Sequence, residues 1–345
     1  TLLLMKSKKS RLYLYTAFAC ILLIIGALYY YFFSDFSNKE TVQYVYIDDD
    51  DTQDSVFAKL ADVANYHSLT GFRTLARHSE YGQNIHTGRY AINPGEGAFM
   101  VFRHIKNGVQ SPISLTIPEA RTTERLAKLL SGKLMIDSAT IAKSLKDSAF
   151  CAKYGYDTTT VVALFIPNTY SIYWNVSMDK FMERMKKEHR DFWNEERRQK
   201  AEAMGMNAVQ VATMASIIDE ETANNAEKPM IAGMYYNRIK AGMPLKADPT
   251  IKFAWKDFGL RRIYHKLLYI DSPYNTYKNT GLPPGPIKVA SIAGIDAVLN
   301  HVDHDYLYMC AKEDFSGTHN FAKTYEEHLK NAAMYSEALN KRGIK

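Results

Sequence analysis

Cysteine is scarce in this chain, with three cysteines in 345 residues. They are Cys20, Cys151 and Cys310, and no two of them form a Cys-x-x-Cys pair. A disulfide scaffold needs several pairs and a zinc ribbon needs closely spaced cysteines, so the sequence indicates neither. A single disulfide between Cys151 and Cys310 is still possible, because spacing alone does not exclude it.

Charged residues are missing from Leu12 to Ser34, and no acidic residue precedes Asp35. The uncharged run has 23 residues, and a helix needs about 20 apolar residues to cross a bilayer. Tyrosines and phenylalanines crowd both of its ends, which is typical of membrane–water interfaces. We therefore predict a transmembrane anchor over residues 12–34.

The orientation of this anchor follows from the basic residues on its N-terminal side, which are Lys6, Lys8, Lys9 and Arg11. Because positive flanks stay in the cytoplasm, residues 1–11 are expected there and the bulk of the chain outside. A cleaved signal peptide is the alternative. Its apolar region would be shorter and would end in a small-x-small site, which is not seen after the Tyr/Phe cluster.

The overall charge argues against nucleic acid as a partner. The formal net charge is +6, and the four basic residues before Asp35 supply most of it. The remaining chain is close to neutral, whereas nucleic-acid binders of the strongly basic kind carry a clustered excess. The length allows two or three domains, and no internal repeat or low-complexity tract is evident.

A small α+β module is predicted within residues 40–110. Val42–Ile47 is rich in β-branched and aromatic residues, as a strand is, and Gly88–Ile92 has the same character before a Pro-Gly turn. Between them, Asp54 is positioned to cap a helix that runs to about Tyr66, and Thr70–Arg77 is typical of a second helix. The predicted order is β-α-α-β.

The rest of the chain is mixed in secondary structure, so the predicted fold class is α+β. A connecting region, 111–206, includes one charged helix, Met178–Gln199, interpreted as a solvated face. The region 207–335 carries the motifs. It contains a helix that begins near Pro229 and a last helix opened by the capping box Thr324-x-x-Glu327. Further elements are predicted at Ala98–Lys106, Ser114–Ile117 and Thr122–Leu130.

The segment Met214–Thr222, MASIIDEET, places an acid on an apolar helix face. Val211, Met214, Ala215 and Ile218 follow helical spacing, and one further turn reaches Glu221. Asp219 and Glu220 are expected to rotate away from that stripe. Because an apolar surrounding disfavours the ionised carboxyl, the pKa of such an acid rises, as a general acid requires. The alternative is a helix end whose acids are simply solvated.

Three more segments accompany it in the last third of the chain: YYNR (235–238), LKADPT (245–250) and YNTYKNTGLPPGPI (274–287). Each has an ordinary structural interpretation as core, turn or loop. Together they supply an acid, amides, hydroxyls and aromatic faces, which suit a polar, uncharged, ring-shaped substrate. His301 and His304 resemble a metal-ligand pair, but no third ligand follows at a suitable spacing, which favours a hydrogen-bonded turn.

The four segments, in this order and spacing, resemble the endolytic murein transglycosylases, the YceG-like (MltG) family. The family's ASIIEKET helix is similar to Ala215–Thr222, and its INR segment is similar to Tyr236–Arg238. Its LQxDPT is similar to Leu245–Thr250, and its YNTY…GLPPGPI matches Tyr274–Ile287. The resemblance is strongest over residues 207–330.

The sequence departs from the family's pattern at several positions. Asp219 stands where the family has the first glutamate of its Glu-x-Glu pair, and Glu220 stands where it has lysine. Lys246 replaces a glutamine, and a proline expected soon after Ile287 is absent. The family's FPDTY element reads FIPNTY at Phe165–Tyr170. The absent proline affects the expected path of the loop after Ile287, and not the acid.

The resemblance implies an N-terminal transmembrane helix, a small LysM-like β-α-α-β module and a mixed α+β lytic transglycosylase domain. It implies peptidoglycan glycan strands as substrate, no cofactor and no metal. It also implies a single-pass protein of the bacterial cytoplasmic membrane with its catalytic domain outside the cytoplasm, near peptidoglycan synthases. Nucleic acid is not an expected partner.

The resemblance also implies roles for single residues. Glu221 is the expected catalytic acid, and Glu220 is expected to be solvated. His319 lies where the family has a similar histidine, and either lines the cleft or braces a loop. The candidate substrate-binding residues are Asn237, Tyr236, Asp248, Tyr274, Asn275, Tyr277, Asp219 and His319.

The implied reaction is cleavage of the MurNAc–GlcNAc β-1,4 bond. The acid protonates the bridging oxygen, and its carboxylate then takes the proton of the sugar's own C6 hydroxyl, which closes a 1,6-anhydro ring. One rival is a glycoside hydrolase that pairs Glu221 with Asp219 or Asp248. The other is a non-catalytic peptidoglycan-binding scaffold.

Overall fold

The computed structural model describes residues 8–260 and 263–343. The chain divides into two compact units. Unit 1 comprises Thr1–Ser114 and Ser171–Val176, and unit 2 comprises Leu115–Tyr170 and Ser177–Lys345. The predicted motif-bearing region, 207–335, lies within unit 2, which also holds most of the predicted connecting region.

The apolar N-terminal run forms a helix. Helix α1 spans Lys8–Leu28 and continues into a π-helical turn, Tyr29–Phe33. The stretch Arg11–Phe33 has 23 residues and a mean hydropathy of 2.1, and none of this window is buried against the protein. By length and composition it is able to cross a membrane, which agrees with the predicted anchor at 12–34.

Unit 1 contains the predicted β-α-α-β order followed by one more helix. Its elements are β1 (Gln43–Ile47), α2 (Gln53–Ala61), α3 (Tyr66–His78), β2 (Gly88–Ile92) and α4 (Ala98–Lys106). Strands β1 and β2 are antiparallel, with Gln43 opposite Ile92 and Ile47 opposite Gly88. Alternate residues of both strands point into the core, where α2, α3 and α4 cover them.

Two details of this module differ from the sequence prediction. Thr52, and not Asp54, caps α2, because its hydroxyl accepts the Ser55 amide in a capping box. Helix α2 ends at Ala61, and α3 already begins at Tyr66.

The connecting region contains several short helices. Strands β3 (Ile113–Thr116) and β4 (Thr169–Ile172) pair with each other, and the boundary between the two units falls inside both. The helices are α5 (Thr123–Ser131), α6 (Ser138–Lys146), α7 (Ser148–Ala152), α8 (Met178–Phe192) and α9 (Glu195–Ala203).

The predicted single charged helix, Met178–Gln199, is wrong. Helix α8 ends at Phe192. A separate helix, α9, begins after Asn194, because the Asn194 side chain accepts the Arg197 amide at 3.0 Å. The charged residues of helix α8 do form an exposed face, as predicted. The helix also buries an apolar stripe of Met178, Phe181, Met182 and Met185.

The motif-bearing region of unit 2 is mainly helical. Its elements are α10 (Ala208–Glu221), α11 (Lys228–Lys240), α12 (Asp248–Trp255), α13 (Ile292–Leu299), β5 (Tyr308–Ala311), β6 (His319–Ala322) and α14 (Tyr325–Lys341). Strands β5 and β6 form an antiparallel pair. The predicted proline in the first turn of α11 and the Thr324 capping box of α14 are confirmed. Cys151 and Cys310 are free thiols and are not bridged.

Helix α10 is the central element of the unit 2 core. Every residue from Val211 to Ile218 is buried, so the predicted amphipathic pattern is wrong. Its polar residues are satisfied within the core: the Thr213 hydroxyl donates to the Val209 carbonyl, and the Ser216 hydroxyl accepts the Ile287 amide at 3.0 Å. Helices α11, α12 and α13 pack around it. Its acidic C-terminal end is therefore held rigidly.

Candidate active site

Glu221 is the last residue of α10, and the packing of that helix fixes its position. The helix begins with a capping box in which Asn207 and Gln210 each accept the other's amide at 2.9 Å. Its end carries three successive acids, Asp219, Glu220 and Glu221. Successive residues on a helix point about 100° apart, so the three carboxyl groups reach three different surroundings.

Asp219 is a buried structural acid. Its carboxylate accepts the Lys228 ammonium, the Ser291 amide and the Ser291 hydroxyl, each at 2.7 Å. Only 1% of the Asp219 side chain and 7% of the Lys228 side chain are exposed. The expectation that Asp219 rotates away from the buried side is wrong. Its carboxylate can be buried because Lys228 and Ser291 replace its contacts with water. Ser291 caps α13, so Asp219 joins three helices.

Glu220 is also paired, which corrects the expectation of a solvated side chain. Arg121 contacts both of its carboxylate oxygens, at 3.0 and 2.8 Å, and Lys288 lies 3.5 Å from Oε1. The Glu220 side chain is only 16% exposed. The bidentate geometry fixes the Arg121 guanidinium in place.

Glu221 is half-buried and faces a cavity of about 270 Å³. The buried Tyr235 hydroxyl donates a hydrogen bond to Glu221 Oε1 at 2.6 Å. That bond occupies one carboxyl oxygen and leaves Oε2 as the oxygen for the acidic proton. The cavity thus contains an acid whose orientation is set by a neighbour on α11.

The surroundings of Glu221 raise its pKa to about 7. Desolvation is the main cause, and the negative charge of Asp248 adds to it. The Tyr235 hydrogen bond and the positive charges of His319 and Lys252 act in the opposite direction. A carboxyl with this pKa is partly protonated at neutral pH, so it can donate a proton and later accept one.

Asp248 and Tyr277 form another part of the cavity wall. The Tyr277 hydroxyl donates to Asp248 Oδ1 at 2.5 Å, and both residues line the cavity with Glu221. Burial and the neighbouring carboxylates raise the pKa of Tyr277, so it stays a neutral donor. Lys246 lines the same wall with a positive φ of 49°, an unusual backbone for lysine.

His319 also lines the cavity, and Glu227 holds it in place. Its backbone amide donates to Glu227 Oε1 at 2.6 Å, and its Nδ1 lies 3.0 Å from Glu227 Oε2. Glu227 is buried at the start of α11. The histidine therefore both faces the cavity and holds the hairpin of β5 and β6 to α11.

Two of the sequence candidates on α11 lie outside this cavity. The Tyr236 hydroxyl donates to the Met204 carbonyl at 3.3 Å. The Asn237 amide donates to the carbonyl oxygens of His304 and Tyr306. Both side chains hold neighbouring loops in place through these hydrogen bonds.

Tyr274 and Asn275 also lie away from Glu221. The Asn275 side chain is completely buried and donates to the carbonyls of Leu268 and Ile270 at 2.9 and 2.8 Å. It shapes the loop that presents Tyr277. Tyr274 packs on Phe253 with ring centroids 4.6 Å apart and lines a different cavity. Of the eight candidate binding residues, the structure thus brings Asp248, Tyr277 and His319 to Glu221.

Sequence reasoning missed Tyr235, Arg238 and Glu227. The Tyr235 signal was available, because it lies in the YYNR segment, but helical spacing gave no reason to prefer it over Tyr236. Arg238 lines the cavity and donates to the carbonyls of Leu307 and Leu245. The Leu307 contact joins residues 69 positions apart, so no local pattern encodes it.

The histidine pair of the 301–304 segment is engaged by backbone groups. His304 Nε2 lies 3.0 Å from the Met230 carbonyl oxygen, and its Nδ1 accepts the Tyr306 amide at 3.0 Å. His301 Nδ1 lies 3.1 Å from the Val298 carbonyl oxygen. Within residues 8–260 and 263–343, no group of three His, Cys, Asp or Glu side chains is placed to hold a metal.

These features define a protein with one raised-pKa carboxyl in a small polar cavity. The YceG-like family matches residues 45–334, and the chain belongs to this family. It is 46% identical over 133 residues to the endolytic murein transglycosylase of Bacillus subtilis (strain 168), covering 38% of this chain and 35% of that protein. It is 27% identical over 302 residues to the one from Streptococcus pneumoniae (strain D39), covering 76% and 53%.

A solved structure shares the fold. The yceG-like protein lmo1499 from Listeria monocytogenes superposes with a TM-score of 0.55 at 27% identity, over 85% of this chain and 99% of that one. The chain spans about half or less of the length of the curated relatives that it matches.

Proposed function

We propose that this protein is an endolytic murein transglycosylase that cleaves MurNAc–GlcNAc β-1,4 bonds and leaves 1,6-anhydro-MurNAc ends. The main support for this proposal is the environment of Glu221, a half-buried acid with a pKa of about 7 in a polar cavity. The names of the relatives support the same activity. Cleavage within nascent strands would limit their length.

The proposed reaction uses Glu221 twice. Protonated Oε2 donates its proton to the bridging oxygen as positive charge develops on the sugar ring. The carboxylate, stabilised by the Tyr235 hydrogen bond, then removes the C6 hydroxyl proton, and that oxygen attacks the anomeric carbon. Tyr277 and His319 are the proposed contacts for sugar hydroxyl and acetamide groups, because both line the cavity.

A glycoside hydrolase is the second candidate, and Asp248 is the observation that favours it. A hydrolase needs a second carboxylate that activates water or attacks the sugar. Asp219 does not fit that role, because it is buried in its ion pair with Lys228. Asp248 lines the same cavity as Glu221. Cleavage in ¹⁸O-labelled water separates the two candidates: a transglycosylase incorporates no label at the new end, and label at that end would establish hydrolysis.

The remaining parts of the proposal concern location. The apolar helix within Arg11–Phe33 is proposed as a single-pass anchor, with unit 2 on the outer side of the cytoplasmic membrane. The β-α-α-β part of unit 1 is proposed as a LysM-like glycan-binding module. Tethering would keep the enzyme close to newly made strands and to their synthases, and so raise the effective substrate concentration.

Replacing Asp248 by asparagine is expected to shift the pH profile. Asp248 raises the pKa of Glu221 through its negative charge, so Asp248→Asn lowers that pKa. Activity that needs protonated Glu221 then begins to fall at a lower pH, and the descending limb of kcat/KM moves in the acidic direction. Anhydro products persist. Complete loss of turnover at every pH would instead support a direct role for Asp248.

Replacing Tyr235 by phenylalanine is expected to move the descending limb of the kcat/KM pH profile to higher pH. The Tyr235 hydrogen bond stabilises ionised Glu221 and lowers its pKa, so Tyr235→Phe raises the pKa. Glu221 also becomes a weaker proton donor, and kcat is expected to fall about tenfold. Tyr236→Phe is the matched control, because its hydroxyl contacts Met204 outside the cavity. Equal profiles for both variants would refute the role of Tyr235.

A further inference from the structure

A second cavity in unit 2 has a strongly basic lining. Its volume is about 480 Å³, and its charged residues are Arg121, Lys146, Lys256 and Lys288 with one acid, Glu124. The cationic excess contrasts with the catalytic cavity, where the acids Glu221 and Asp248 are matched by the cations Arg238 and Lys246. Such a lining favours an anionic ligand.

Two of these cations are held rigidly. Lys288 is 8% exposed and lies 3.0 Å from Glu119 and 3.5 Å from Glu220. Arg121 is fixed by Glu220, and its guanidinium lies 5.7 Å from the centroid of the Phe258 ring. Preorganised cations lose little conformational freedom when a ligand binds.

The other two cations are available. Lys256 makes no ion pair with any residue in the described part of the chain. Lys146 pairs with Glu124, but both side chains are 57% exposed, so this pair is weak and exchangeable. A carboxylate entering the cavity therefore meets cations that are not fully neutralised.

The remaining wall of the cavity suits a peptide. Phe253, Phe258, Tyr274, Val162 and Pro286 supply apolar surface, and threonine hydroxyls supply hydrogen-bonding groups. A short peptide with free carboxylates combines the same chemistry of aliphatic side chains, amides and negative charge.

Helix α12 and the end of α10 contribute residues to both cavities or hold residues that line them. Helix α12 begins at Asp248 in the catalytic cavity and ends next to Lys256 in the basic cavity. Its eight residues span about 12 Å at about 1.5 Å per residue. Glu220 fixes Arg121 in the basic cavity, while the adjacent Glu221 faces the other. The two cavities thus share helix α12 and the acidic end of α10.

We propose that the basic cavity binds a carboxylate of the peptide that the MurNAc units of the glycan substrate carry. The inference rests on the proposed function, since it names a recognition element of that substrate. Binding the peptide at the far end of α12 from Asp248 would select glycan strands that still carry peptides. It also assigns Tyr274 a place in the substrate site, through this cavity.

The test uses the full-length protein and two forms of one substrate. Glycan strands with intact peptides are compared with strands from which an amidase has removed the peptides. In the double variant Lys146→Gln/Lys256→Asn, the ratio of kcat/KM for peptide-bearing to peptide-free strands is expected to fall about fivefold. Asparagine tolerates the positive φ of position 256.

The matched control removes the same charge elsewhere in unit 2. Lys187→Gln/Lys330→Gln alters two exposed lysines of surface ion pairs and is expected to leave the ratio unchanged. An unchanged ratio in the cavity variant would overturn the proposal. So would an equal fall in the control, because it would show a general effect of charge.

A binding measurement separates this proposal from the proposed function. A soluble muramyl peptide is titrated into the wild type and the cavity variant, beside the same peptide with amidated carboxyl groups. The Kd for the free acid is expected to rise about fivefold in the variant, whereas the amidated peptide binds weakly to both. Equal binding of the two peptides, or displacement by polyglycerol phosphate at lower concentration than by the peptide, would overturn the peptide assignment. Absence of turnover with peptide binding intact would overturn only the proposed function.

Discussion

Glu221→Gln is expected to abolish turnover of glycan strands, with kcat falling by a factor of about 10²–10⁴. Glutamine keeps the size and the polar contact of the side chain, but it has no proton to donate to the bridging oxygen. The loss is expected at every pH, because no second group in the proposed reaction supplies that proton. The rate of strand cleavage is the measurement.

Two controls make this experiment specific. Glu202→Gln changes an exposed glutamate on α9 and is expected to keep full activity. Glycan binding by Glu221→Gln is expected to persist, which would exclude a purely scaffolding role if turnover is lost. Activity within threefold of the wild type would contradict the assignment of Glu221 as the acid.

Among the variants proposed for this protein, Asp219→Ala is expected to lose the most stability, about 3–5 kcal/mol in the free energy of unfolding. The variant leaves the Lys228 ammonium buried without its partner and removes both hydrogen bonds from Ser291. It thereby loosens the contacts among α10, α11 and α13. Urea-induced unfolding, followed by the fluorescence of buried Trp193 in unit 2, measures the loss.

A double-mutant cycle tests whether the ion pair is the cause. Asp219→Ala/Lys228→Ala is expected to cost less than the sum of the two single variants, because neither charge is then left buried alone. Asp191→Ala, which breaks a surface pair with Lys187, is expected to change the free energy of unfolding by less than about 1 kcal/mol. A loss of that small size for Asp219→Ala would contradict the structural role of the buried pair.

The acidic end of α10 shows what local sequence can and cannot predict. Helical phase predicted a partly buried Glu221, and its side chain is half-buried beside the cavity. Every residue from Val211 to Ile218 is buried as well, so phase alone does not single out Glu221. The same phase misplaced Asp219 and Glu220. Their partners Ser291 and Arg121 lie 72 and 99 positions away, and no local periodicity encodes such a contact. The helix itself is buried all round, which periodicity also does not predict.

The amide and aromatic candidates illustrate the same limit. A buried asparagine and an exposed one have the same sequence signal, and Asn275 and Asn237 both serve loop carbonyls instead of the cavity. Tyr235 and Tyr236 are adjacent, yet only Tyr235 reaches Glu221. The β-α-α-β order, the strand Gly88–Ile92 and the helix Ala98–Lys106 were predictable, because turn residues and apolar spacing mark them locally.

The mass of the newly formed glycan ends shows directly whether the protein is a transglycosylase that uses Glu221. Purified full-length protein is incubated with glycan strands, and the fragments are analysed by mass spectrometry beside those from Glu221→Gln. Internal cuts are expected whose new MurNAc ends are one water lighter than reducing MurNAc, which is the 1,6-anhydro form. No such ends are expected from Glu221→Gln. New ends with the mass of reducing MurNAc would contradict the proposed reaction, as would anhydro ends formed equally by Glu221→Gln.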